Sequence, residues 1–134
     1  MTNNLIFALS RYESIKTIYD EFIANNLDSL NKIKGLHVQK LEDSNFQLTA
    51  LNKKIECEFS FKSDDGNYYG VMIFSMITTL NDIKQGELLR EFWIDHLGNI
   101  HHGSGNGYAK YSVSNDGALD YCVTEVLEEL VLKI

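Results

Sequence analysis

Apolar side chains fall at Leu5, Leu9, Tyr12, Ile15, Tyr19, Phe22, Ile23, Leu27, Leu30 and Ile33. The spacing is almost always three or four, the period of an amphipathic helix. Asn3 or Asn4 suits its start. Lys32, Lys34 and Gly35 suit its end, because cations complement the helix dipole and glycine takes the left-handed terminating conformation. About 28 residues is long for one globular helix, and the weak helix formers Asn25-Asn26 predict a break.

From residue 36 the period changes to two. Residues 36–41, 46–51, 55–62 and 68–78 read as strands, parted by polar breaks at residues 42–45 and 52–54. Connections this short force antiparallel neighbours. Residues 81–86 read as a loop or single helical turn, 88–95 as a further strand and 108–113 as the last. Asn115 or Asp116 is placed to cap a final helix from about Gly117. Its apolar side is Leu119, Cys122, Val123, Val126, Leu127, Leu130 and Ile134. The pattern predicts one α+β domain over residues 1–134: a long N-terminal helix, an antiparallel β-meander of six or seven strands and a C-terminal helix.

The strands on either side of Ser63-Asp64-Asp65-Gly66 form the central hairpin. Read as a type I turn with Gly66 in the left-handed region, the connection sets Ser63 opposite Asn67. Counting back, Lys62 pairs with Tyr68, Phe61 with Tyr69, Phe59 with Val71, Cys57 with Ile73 and Glu56 with Phe74. One face then carries Ile55, Cys57, Phe59, Phe61, Tyr69, Val71 and Ile73, the expected core side. The other carries Glu56, Glu58, Ser60 and Lys62 beside Tyr68, Met72, Phe74 and Met76. Asp95-His96-Leu97-Gly98-Asn99 has the same form and predicts a second hairpin pairing Ile94 with Ile100, Trp93 with His101 and Phe92 with His102. Leu88, Phe92, Ile94 and Ile100 would share one face, and Leu89, Glu91, Trp93 and His101 the other.

Charge narrows the choice of partners. The net charge is −7 at pH 7, which argues against nucleic acid and anionic membrane surfaces and favours a basic partner or plain solubility. Cys57 and Cys122 are the only cysteines, and both fall on apolar faces, so they read as small buried hydrophobes. No segment resembles a signal peptide or reaches the ~18 apolar residues of a membrane helix, and the expected location is the cytoplasm.

Candidate chemistry is sparse. Asp95, His96, His101 and His102 are metal-ligand residue types, but His101 and His102 are strand neighbours and must diverge, so no metal and no cofactor is expected. Gly103 to Gly107 has a phosphate-loop composition but joins two strands where a helix start is needed. Ser104 lacks the strand–turn–helix elbow of a hydrolase nucleophile. Glu56 and Glu58 lie on one strand face, an arrangement found in acid–base pairs and, more often, in contact surfaces.

With no catalytic constellation, an enzyme is the less favoured class. The expected function is a small acidic interaction module that binds and neutralises or regulates a protein partner, of the immunity-protein or inhibitor type by analogy. The expected contact residues are Glu56, Glu58, Met72, Phe74, Glu91, Trp93 and His101, meeting a basic partner or a second copy in a homodimer. A small-ligand-binding domain or enzyme with a pocket between sheet and helix is the alternative.

Overall fold

The computed structural model describes residues 3–103 and 108–134. Helix α1 spans Asn3–Asn26 and passes into a 3₁₀ segment, Leu27–Lys32. The helix therefore ends at the asparagine pair. Asn26 Nδ2 donates to the Phe22 carbonyl at 2.8 Å, the local side-chain competition that makes asparagine a poor helix residue.

Seven strands follow: β1 (His37–Lys40), β2 (Phe46–Ala50), β3 (Lys53–Asp64), β4 (Asn67–Leu80), β5 (Ile83–Ile94), β6 (Asn99–His102) and β7 (Ala109–Ser112). Helix α2 spans Ala118–Val131. The spatial order is the chain order, β1 to β7, each strand antiparallel to the next. The fold is thus the expected α+β meander. Among the described residues, no helix is long and apolar enough to cross a membrane.

Both helices cover one face of the curled sheet. Tyr19, Phe22 and Ile23 of α1 and Leu119, Cys122, Val123, Val126 and Leu130 of α2 pack on Phe46, Ile55, Cys57, Met72, Phe74, Phe92, Ile94 and Ile100. Burying the five α2 side chains contributes on the order of 10 kcal/mol before the entropy of ordering the helix is subtracted. Both cysteines are buried, and burial pushes each thiol well above its usual range. Tyr19 Oη donates to the Ser44 carbonyl at 2.9 Å and fastens α1 to the β1–β2 connection. Helix and sheet approach closely at Gly70, where a Cβ would lie 2.6 Å from Phe59 Cε2 and 2.7 Å from Ile15 Cγ2.

Four features depart from the sequence expectation. The central hairpin closes through two residues, Asp65 and Gly66, with φ of 50° and 79°. Asp64 faces Asn67, Lys62 faces Tyr69, Phe59 faces Met72 and Cys57 faces Phe74. Asp-Gly suits a type I′ turn, whose twist matches the strands it joins, and this removes one residue from the loop. A one-residue slip exchanges the faces of a whole strand. Met72 and Phe74 are therefore in the helix-covered core, while Tyr69, Val71 and Ile73 lie on the opposite face. The Asp95–Asn99 connection keeps the expected register. There Leu97 precedes the glycine and does not favour positive φ, and Asp95 Oδ1 accepts the backbone N–H groups of Leu97 and Asn99 at 2.9 Å.

The β4–β5 connection is also shorter than expected. Asn81 and Asp82, at φ of 52° and 63°, make a two-residue turn, and residues 83–86 belong to β5. Asparagine and aspartate tolerate the left-handed region without glycine. In addition, β5 carries a bulge opposite Phe74 and Ser75. It leaves Leu89 buried and Leu88 exposed, the reverse of simple alternation. At the start of α2, Gly117 occupies the cap position with φ 76° and no side-chain cap bond, while Asn115 Oδ1 accepts the Ser112 N–H.

Candidate functional site

The face that neither helix covers holds Glu56, Glu58, Ser60 and Lys62 of β3, Tyr69, Val71, Ile73 and Ser75 of β4, Glu91 and Trp93 of β5 and His101 of β6. These positions follow from the pairings Glu58 with Ile73, Val71 with Trp93, Ile73 with Glu91 and Trp93 with His101. Of the seven residues expected to make one contact surface, five share this face. Met72 and Phe74 are fully buried beneath it.

The five fall into three groups. Glu56 and Glu58 edge a groove of about 290 Å³ whose other lining residues are Ile73, Ser75, Ile77, Lys84 and Gly86. A wider hollow of about 580 Å³ continues from Glu56, Glu58 and Lys84 to Lys40, Leu41, Glu42 and Asn45. Lys84 Nζ meets both Glu56 carboxylate oxygens at 2.7 Å, and that bond raises the lysine's pKa. In a flat sheet the two Cα atoms, two strands and four residues apart, would be about 17 Å from one another. Two extended side chains do not span that gap. The coil of the long β4–β5 hairpin, sharpened by its bulge, brings Lys84 over the face and makes the groove. Glu58 is exposed and forms no salt bridge among the described residues.

Trp93 belongs to the second group. Its Nε1–H donates to Glu91 Oε1 at 3.1 Å, Lys62 Nζ lies 5.8 Å from the ring centroid, and the Tyr69 ring packs at 5.4 Å. Lys62 also reaches Glu91, at 3.9 Å. These neighbours leave Trp93 only 8% exposed. The tryptophan is on the face expected for it but is buried there by its own surface neighbours, a small second core with Tyr69 and Val71. It does not stand out as a free anchor.

His101 turns away from the acidic groove and meets Asp95, Nε2 to Oδ2 at 2.9 Å. Burial alone would raise the Asp95 pKa, but the His101 bond and the N–H groups of Asn99 and Leu97 outweigh it and hold the carboxyl below its usual range. His102 points to the helix side, where its Nε2 lies 2.6 Å from Arg90 Nη1 and 3.2 Å from Glu125 Oε1. The two histidines thus diverge. Among the described residues no three His, Cys, Asp or Glu side chains are arranged to hold a metal ion. Ser104 and the rest of residues 104–107 lie outside the described residues.

The chain matches no protein-family model, no curated protein and no solved structure.

The sequence reading missed Lys84, which closes the groove, and Ile73, which floors it. The Asp65-Gly66 pair was the signal for Ile73, since a two-residue turn alone places it outward. Lys84 became visible only with the coil of the hairpin, which no local pattern encodes.

Proposed function

We propose that this chain is an interaction module that binds, and by covering it neutralises or regulates, a protein with a basic surface, in the manner of immunity proteins or inhibitors. The observation that supports the reading is the uncovered sheet face: a half-buried apolar floor, Ile73 and Ile77, beside the carboxylates of Glu56 and Glu58, with Glu91 further along. An apolar centre with a charged rim is the usual anatomy of a contact surface. Glu56 is held by Lys84, while Glu58 is available to meet a partner's lysine or arginine.

Carboxylates at such a rim steer association more than they add affinity. Glu58→Lys is therefore expected to slow association with a basic partner by about tenfold at low salt, with the difference shrinking as salt screens it. The test is capture from a lysate with the wild-type chain, with Glu58→Lys, and with Lys133→Glu on the helix side as control. A basic protein held by the wild type and the control, and lost with Glu58→Lys, supports the reading. Equal capture by all three would remove the outer face from consideration.

A further inference from the structure

The chain has two arginines. Arg90 is engaged beside His102. Arg11, on α1, lies 4.9 Å above the Phe7 ring and pairs with no carboxylate among the described residues. Its side chain lines a cavity. The cavity is an open pocket of about 200 Å³ where the start of α1 meets the β3–β4 and β5–β6 turns, and Arg11, Phe7, Tyr68, Asp95, His96 and His101 are among its lining residues.

The lining has two characters. Phe7 and Tyr68 pack ring against ring, with centroids 5.8 Å apart, and give an apolar aromatic wall. Arg11 brings N–H donors to the same space, and His96 and His101 line it. Asp95 is the one acid, and its oxygens are already engaged: Oδ1 accepts from Leu97 and Asn99, and Oδ2 meets His101. Its role is to orient the imidazole, and the donors around it offset its repulsion of an incoming anion. The volume is that of roughly seven water molecules, enough for one ring and a carboxylate.

We propose that this cavity binds a small aromatic carboxylate, with the Arg11 guanidinium taking the carboxylate through paired N–H bonds and the ring resting against the wall that Phe7 and Tyr68 form. A planar fork of donors matches a carboxylate better than an ammonium does, and the aromatic wall beside it gives the ring of the ligand an apolar surface. The site lies apart from the Glu56–Glu58 groove and does not depend on what that groove binds.

The test is calorimetric titration of the full chain with benzoate, with acetate and inorganic phosphate in parallel, and with the histidine ring signals followed by NMR. Benzoate has nine non-hydrogen atoms, and ordinary efficiencies for ligands of that size give a Kd on the order of 0.1–1 mM. Acetate, lacking the ring, is expected to bind at least tenfold more weakly. Arg11→Gln is expected to weaken benzoate at least tenfold and Arg11→Lys by less. Arg11 is half-exposed, and glutamine and lysine are good helix formers, so unchanged circular dichroism confirms that each variant is folded. His101 should shift on saturation and His102 should not. No saturable binding at about 10 mM benzoate, which is weaker than any useful affinity, would overturn the proposal. So would equal affinity in folded Arg11→Gln, or phosphate binding more tightly than benzoate.

Discussion

Gly70→Ala sets two effects of opposite sign against each other. Gly70 has an ordinary negative-φ strand backbone, so alanine fits its dihedral angles, and the entropy of the unfolded chain alone predicts a gain of about 0.5–1 kcal/mol. The structure predicts a loss. The new methyl would sit 2.6 Å from Phe59 Cε2 and 2.7 Å from Ile15 Cγ2, and Ile15 is fully buried on α1. Neither neighbour is a flexible chain end, so α1 or the Phe59 ring must move. Overpacking of this kind costs about 1–3 kcal/mol. The expected net is a destabilisation of about 1 kcal/mol, seen as a lower urea midpoint at unchanged m and a Tm lower by roughly 3–5 °C. In a Phe59→Leu background the offending ring atoms are gone, and the same Gly70→Ala change should cost less by about 0.5–1 kcal/mol, a coupling that a double-mutant cycle reads directly. If the alanine variant is as stable as the wild type or more so, then α1 does not approach the sheet as closely as described.

Trp93 should emit at blue-shifted wavelengths and resist aqueous quenchers in the isolated chain, and Trp93→Ala should cost about 3 kcal/mol of stability because it empties the small outer core. Red-shifted, readily quenched emission would refute that packing. Cys57 and Cys122 should ignore a thiol reagent in the native state and react fully in denaturant, since burial keeps both as thiols; rapid labelling of folded protein would contradict their placement. Asp95 and Glu125 have folded-state pKa values below their ordinary ones. For Glu125, burial pushes the other way, but the bonds from Lys110 and Tyr111 outweigh it. The stability each carboxylate contributes is therefore complete above the unfolded carboxylate range and is lost as pH falls through the lower folded value. Urea midpoints should drop below about pH 4, and the drop should be smaller in Asp95→Asn and Glu125→Gln; an unchanged acid limb in both would contradict the sign.

Much of the fold was legible because each element announced itself locally. The apolar period of α1, its end at Asn25-Asn26, the Asp95–Asn99 hairpin and the apolar side of α2 are all written as patterns within short stretches of sequence. The errors came from turns and one bulge, where a single residue decides the outcome. Counting Asp64 into the loop exchanged the faces of β4, so Met72 and Phe74 were expected at the surface and are in the core. The bulge did the same to Leu88 and Leu89 over a shorter distance. Glu56, Glu58, Glu91, Trp93 and His101 were placed on the correct face, because β3 and the β5–β6 pair carry registers of their own. Their division into an acidic groove, a buried tryptophan and a separate cavity depends on sheet coiling and on where α1 begins. Neither is a property of any short stretch of sequence.

The strict β1-to-β7 order also governs how the chain can assemble as it is made. Each strand can pair with the one synthesised just before it, and tight turns close within microseconds, far faster than residues are added. The sheet can therefore lengthen as the chain grows. Its apolar side is completed at different times. Tyr19 and Phe22 are made before the strands they cover, whereas α2 follows all seven. Phe92, Ile94 and Ile100 consequently emerge before Leu119, Val123 and Val126 exist to shield them. During that interval the growing chain exposes an adhesive strip on β5 and β6, and that is where binding by a chaperone, or self-association, would concentrate.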